Sequence, residues 1–154
     1  MADKENMTRD GLVQRVRALT RDFSNTIFRE QDIVDFLNEG INRFKQRIPE
    51  LKGMNMLIAR QQEVNLLPIQ FQHVLAVYST ARCFGQDEAH YQASTHMNEF
   101  EVKLDELKNL IDSGDIVIVD EDGNVIEGDY KLDYVDLKPY WGTSSSKFND
   151  FDKD

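Results

Sequence analysis

The sequence predicts a mainly α protein: a small helical bundle of about four helices over residues 8–112, a small acidic β-hairpin over 113–128 and an extended, disordered aromatic arm over 129–154, with residues 1–7 disordered. Three observations carry that expectation. Apolar residues recur at three- and four-residue intervals in four separate stretches, the spacing that lines one face of a helix. Those stretches are punctuated by residues that start or stop helices: Thr8, Pro49, Pro68 and Gly114. After Gly114 the helical period gives way to IVIV at 116–119, the turn-forming DEDGN, and then Val125 and Ile126.

The first helix begins at Thr8, whose hydroxyl suits an N-cap, and places Leu12, Val16 and Leu19 on one stripe. RDFSNTI at 21–27 has no period and reads as a connection. Ile33, Leu37, Ile41, Phe44 and Ile48 then define a second helix. It must stop near Ile48, because Pro49 disfavours helical geometry in the residue before it and has no N–H to continue the ladder. Gly40 lies inside this helix at a cost of about 1 kcal/mol relative to Ala, so it is either a tolerated glycine or the point where a neighbouring helix comes close. Residues 54–59 and 63–67 are apolar-rich pieces around a polar RQQ, and an irregular hairpin and an extended loop fit them equally. Pro68 opens a third helix carrying Val74, Val77, Tyr78, Ala81 and Phe84 until Gly85 interrupts it. A long fourth helix carries Met97, Phe100, Leu104, Leu107 and Ile111, with Glu99 and Lys103 paired at i,i+4. Two heptads are too few for a free-standing coiled coil, so this stripe is expected to pack within its own domain.

A chain of 154 residues, 40% apolar, can bury one core without disulfides or a structural metal. Its single cysteine, Cys83, leaves no intrachain disulfide framework and no cysteine-built zinc site, which favours a reducing compartment. The polar N-terminus and the lack of a long apolar window argue against a signal peptide and a membrane span. A net charge of −10 argues against gripping nucleic acid through its phosphates. The charge is also unevenly placed: residues 1–60 hold eleven basic and nine acidic side chains, whereas 61–154 hold seven and nineteen. Such polarity suits a head-to-tail contact between copies, and it equally describes a solvated acidic end.

The side chains able to do chemistry are few. His90 and His96 are six residues apart and so lie on opposite sides of a helix, where a metal pair needs a spacing of three or four. Cys83, with no histidine four residues away, reads as a buried structural thiol. The DEDG run would put Ile118 and Asp129 at the first and twelfth positions of a calcium loop and follows a β-like run rather than a helix, so it reads as a turn. No phosphate-binding glycine loop, GxSxG or HExxH occurs. The reading is a binding or assembly role, with no enzyme activity, no catalytic or metal residues and no cofactor. Six of the fifteen aromatics, Tyr130, Tyr134, Tyr140, Trp141, Phe148 and Phe151, fall in the polar C-terminal stretch, where they read as anchors of an arm that docks on a partner.

Three stretches resemble a known family. FREQDIVDFLNEGINRFKQRIPEL resembles the helix-two signature of head-tail connector (adaptor) proteins of long-tailed, siphovirus-like bacteriophages, with Gly40 in place of the usual alanine. LLPIQFQHVLAVYSTARCFGQDEAHYQASTHMNEFEVKLDEL is similar to the family's LP-start helix and the long helix after it. GDIVIVDEDGNVI followed by DYVDLKPYWG looks like the terminal hairpin and aromatic arm. Together they cover most of residues 8–142. The loop at 53–67 and the tail after Gly142 depart from the pattern.

The resemblance implies a structural virion protein of the neck region, made in the host cytoplasm. Copies would form a ring beneath the portal that matches its twelvefold symmetry, extends the DNA channel and links head to tail. Its implied partners are the portal protein, other copies of itself and a tail-side stopper or neck protein, with genomic DNA passing through unread and no membrane involved. By position, the portal- or neighbour-docking arm falls on Tyr130, Tyr134, Val135, Tyr140 and Trp141. The charge pattern adds two expectations. Arg43, Lys45 and Arg47 form a basic patch suited to the seam between subunits, and Asp115, Asp120, Glu121 and Asp122 form an acidic cluster suited to the channel wall. The alternatives are a neck, stopper or packaging accessory protein of the same particle, or a helical interaction module unconnected with phage that acts through its aromatic tail.

Overall fold

Helix α1 (Arg9–Thr20) starts where the sequence places it, with the Thr8 hydroxyl accepting the N–H of Gly11 at 3.1 Å. It ends at Arg21, a left-handed residue whose N–H returns to Ala18. In the computed structural model, which describes residues 5–127, four helices of three or more turns follow the order α1, α2 (Glu30–Arg47), α4 (Val74–Gln86) and α5 (His90–Asp112). A 3₁₀ turn (Pro49–Leu51) and a single helical turn, α3 (Ile69–Gln72), lie between α2 and α4. The described residues contain no β-strand, only two isolated antiparallel bridges.

Helix α2 stops at Ile48, as Pro49 requires. The Pro68 helix differs from expectation. It breaks at His73 into α3 and α4, while Gly85 does not end α4, which runs on to Gln86. A glycine weakens a helix by conformational entropy without removing a hydrogen bond, and packing on both sides of α4 offsets that loss.

Helix α4 is the axis of the bundle, packed by α1, α2 and α5, and nine of its thirteen residues are buried. That all-round burial suits its run of Val, Leu, Ala and Tyr with a small Ser79, whose hydroxyl donates to the Ile33 carbonyl at 3.0 Å. The pairings Ile33 with Ser79 and Gly40 with Leu75 set α2 antiparallel to α4. A Cβ on Gly40 would lie 3.4 Å from Leu75 Cδ2 and Tyr78 Cβ, ordinary van der Waals contact, so α4 packs against this position but leaves room for a methyl and the glycine is a tolerated one. Helix α5 turns back along α4 and contributes Phe100, Leu104, Leu107 and Ile111 to the core, so its stripe packs within its own domain. Phe100 is the shared node: its ring stands edge-on to Phe44 of α2 at 5.6 Å and to Tyr78 of α4 at 4.9 Å.

Residues 53–67 form an extended loop pinned by amide side chains rather than by a ladder. Asn38 accepts the N–H of Leu57 and donates to its carbonyl, at 2.8 and 3.2 Å. Asn65 does the same for the Asn55 N–H and the Gly53 carbonyl, and Gln62 for the Ile58 N–H and the Met56 carbonyl. Met54, Leu57, Val64 and Leu67 are thereby held in the core. The start of the chain closes over this loop. Met7, expected to be disordered, accepts from the Val64 N–H and donates to Gln72.

Candidate functional site

The connection between α1 and α2 is organised around one buried carboxylate. The buried Asp22 carboxylate accepts the N–H groups of Thr26, Ile27 and Phe28 at 3.0–3.3 Å and the Arg17 guanidinium at 2.8 Å. Arg17, itself buried, also donates to the Phe28 carbonyl at 3.0 Å. Burial opposes ionisation of Asp22, but the three backbone donors and Arg17 outweigh it and hold the carboxyl below its ordinary value. Two large apolar side chains of this clamped loop, Phe23 and Ile27, point into solvent.

Arg43 and Arg47, one turn apart on α2, face α5 of their own chain. Arg43 pairs with Glu101 and lies over the Phe100 ring, and Arg47 pairs with Asp105 at 2.8 Å. Two members of the expected seam patch are thus engaged within the subunit, while the half-buried Lys45 makes no ion pair among the described residues. The structure does not bring the three together: the α-helical repeat turns Lys45 away from the other two. The same pairings make α2 and α5 parallel. In α5 Lys103 lies 3.5 Å from Glu106, a closer neighbour than the Glu99 expected at i,i+4. Glu39 bridges α2 and α4, accepting from Tyr78 at 3.1 Å and pairing with Arg82.

The acidic segment folds as a turn. Asp120 Oδ1 accepts the N–H groups of Asp122 and Asn124 at 2.9 and 2.8 Å, and Gly123 takes the left-handed conformation that closes it. One bridge joins Val119 to Val125, and the Ile126 N–H reaches the Ile118 carbonyl at 2.8 Å. Asp115, Glu121 and Asp122 are exposed and Asp120 is half-buried. An open groove of about 590 Å³ separates residues 116–121 from residues 62–69. Arm residues Tyr130, Tyr134, Val135, Tyr140 and Trp141 lie outside the described residues.

Cys83 is buried, and burial pushes its thiol up to about 11, which suits a structural residue rather than a nucleophile. Burial lowers His73 from its ordinary value, with Arg15 and Lys103 acting in the same direction. No group of three or more His, Cys, Asp or Glu among the described residues could hold a metal ion, and no described helix is long and apolar enough to cross a membrane. Sequence reading missed the Asp22 clamp and its two exposed apolar side chains, because periodicity has nothing to say about a loop. Every residue but proline carries a backbone N–H, so an aspartate four to six positions ahead of three such groups is not distinctive in a sequence. Comparison with models of known protein families, with curated proteins and with solved structures finds no match for this chain.

Proposed function

We propose that the chain is a structural head-tail connector of a long-tailed bacteriophage, a ring-forming adaptor beneath the portal. The observation that carries the reading is a coincidence of order. The stretches that resemble the family fall on consecutive units: α2 with its Pro49 stop, the α3–α4–α5 succession opened by Pro68, and the turn segment leaving the end of α5. Residues that such a role leaves idle, the histidines and Cys83, are scattered or buried, and the exposed groups are of the kind that make contacts.

In this role no bond is made or broken. The bundle supplies a rigid wedge, and residues 129–154, with Tyr130, Tyr134, Val135, Tyr140 and Trp141, supply the contact to the portal or a neighbouring subunit. The acidic cluster at Asp115, Asp120, Glu121 and Asp122 repels the phosphates of passing DNA and so keeps the channel wall from sticking. The test is the number of copies of this chain in purified particles, measured by quantitative mass spectrometry against the portal protein. A one-to-one ratio supports the connector ring, and absence from the particle removes it.

A further inference from the structure

We infer that copies of this chain associate head to tail through two surfaces at opposite ends of the bundle: the clamped loop 21–29 of one copy and the acidic turn segment 115–127 of the next. Helices α2 and α5 are parallel, since Arg43 meets Glu101 and Arg47 meets Asp105. The loop that leads into α2 and the segment that follows α5 therefore lie at opposite ends of that pair.

The loop presents an apolar centre with basic flanks. Phe23 is 75% and Ile27 59% exposed, and beside them stand Arg21, which makes no ion pair among the described residues, and the exposed Arg29, whose guanidinium donates two hydrogen bonds to the half-buried Asp32. Its one acid, Asp22, is buried against Arg17. Solvent-facing apolar groups on a mobile loop would lose most of their binding value to ordering entropy. Here four hydrogen-bond donors on one carboxylate have already fixed the loop, so little is lost on contact.

The turn segment presents the complementary face. Its residues alternate: Ile118 is buried against the bundle with Ile116 and Ile126 partly so, while Val117, Val119 and Val125 are 54%, 46% and 58% exposed on the other side. Val119 and Val125 are bridged, which makes the three valines one apolar face. Around it stand Asp115, Glu121, Asp122 and Glu127, and no basic residue occurs from Asp112 to Glu127. An apolar centre with a basic rim meets an apolar centre with an acidic rim, the arrangement that excludes water at the middle and fixes register at the edge. Because the two surfaces differ, each contact leaves one of each kind open, so association propagates to a closed ring or a filament rather than stopping at a dimer. This inference stands on the two surfaces alone and holds whether or not the chain sits beneath a portal.

The test is sedimentation velocity of the full chain over a wide concentration range, with circular dichroism confirming that each variant is folded. Wild-type protein is expected to associate as concentration rises and to dissociate in high salt. Phe23→Ser with Ile27→Ser on one end, and Val117→Ser with Val119→Ser on the other, should each weaken association by at least about tenfold. Arg21→Glu with Arg29→Glu should weaken it, as should Glu121→Lys with Asp122→Lys, and the chain carrying all four reversals should associate again. A wild-type chain that stays monomeric throughout, as when its own residues 128–154 cover the valines, overturns the inference. Association that persists in both serine variants, or that the fourfold reversal fails to restore, overturns it as well.

Discussion

Replacing Asp22 by Asn should destabilise the protein by about 3 kcal/mol, the low end of the range for removing one partner of a buried ion pair. The magnitude follows from what the carboxylate holds: the buried Arg17 guanidinium and Phe28 N–H, and the part-buried N–H groups of Thr26 and Ile27. Asn keeps one accepting oxygen but turns an NH₂ toward donors and leaves Arg17 with only the Phe28 carbonyl. Urea unfolding followed by circular dichroism should show the midpoint falling by roughly 1.5 M with an unchanged slope. A double-mutant cycle with Arg17→Met should return a coupling of about 2 kcal/mol or more. Acid supplies a second check. A carboxyl held below its ordinary value of 3.8 contributes its full stability above that pH and loses it as pH falls through the lowered value, so wild type and variant should converge in acid. A loss under about 1 kcal/mol at neutral pH would place the pair with ordinary surface bridges and refute the reasoning.

Gly40→Ala should raise stability by up to about 1 kcal/mol, because its Cβ meets Leu75 and Tyr78 at ordinary contact distance and the helix loses an entropic penalty; a lowered urea midpoint would show that α2 and α4 cannot accommodate the methyl. Phe100→Ala should cost about 3–5 kcal/mol in the same assay, since its ring is fully buried and shared by Phe44 and Tyr78; a cost near 1 kcal/mol would mean the core collapses around the gap. Cys83 should resist a thiol reagent in native buffer and react only on unfolding, and rapid native labelling would contradict its burial.

Much of the helical frame was legible because its signals are local. The Thr8 hydroxyl, the Pro49 stop and the stripe from Ile33 to Ile48 act within a few residues of where they stand. Gly40 offered two explanations, and only the packing of α4 against it chose between them. The loop 53–67 could not be read, because its geometry depends on Asn38 in a different element, nineteen positions from Leu57. The break at His73 was hidden because that residue keeps helical dihedrals, φ −63° and ψ −18°, so the apolar period runs across the interruption in hydrogen bonding nearly intact. Of the residues singled out for contact, Arg43 and Arg47 looked free because their partners Glu101 and Asp105 lie 58 positions away in the chain. Net charge summed along a sequence does not know which charges have already met.

The amide staples of residues 53–67 set an unusual rule of replacement. Asn38, Gln62 and Asn65 each give a proton to one backbone group and take one from another, so the loop depends on side chains with two opposite ends. An aspartate has the outline of Asn38 or Asn65 but only accepts at neutral pH, and would set a negative oxygen against the carbonyl of Leu57 or Gly53. Exchanging either amide for a carboxylate, as in Asn38→Asp or Asn65→Asp, would therefore unfasten the loop with almost no change in side-chain size or shape. The anchoring of this loop thus rests on which atom of two amides is nitrogen and which is oxygen.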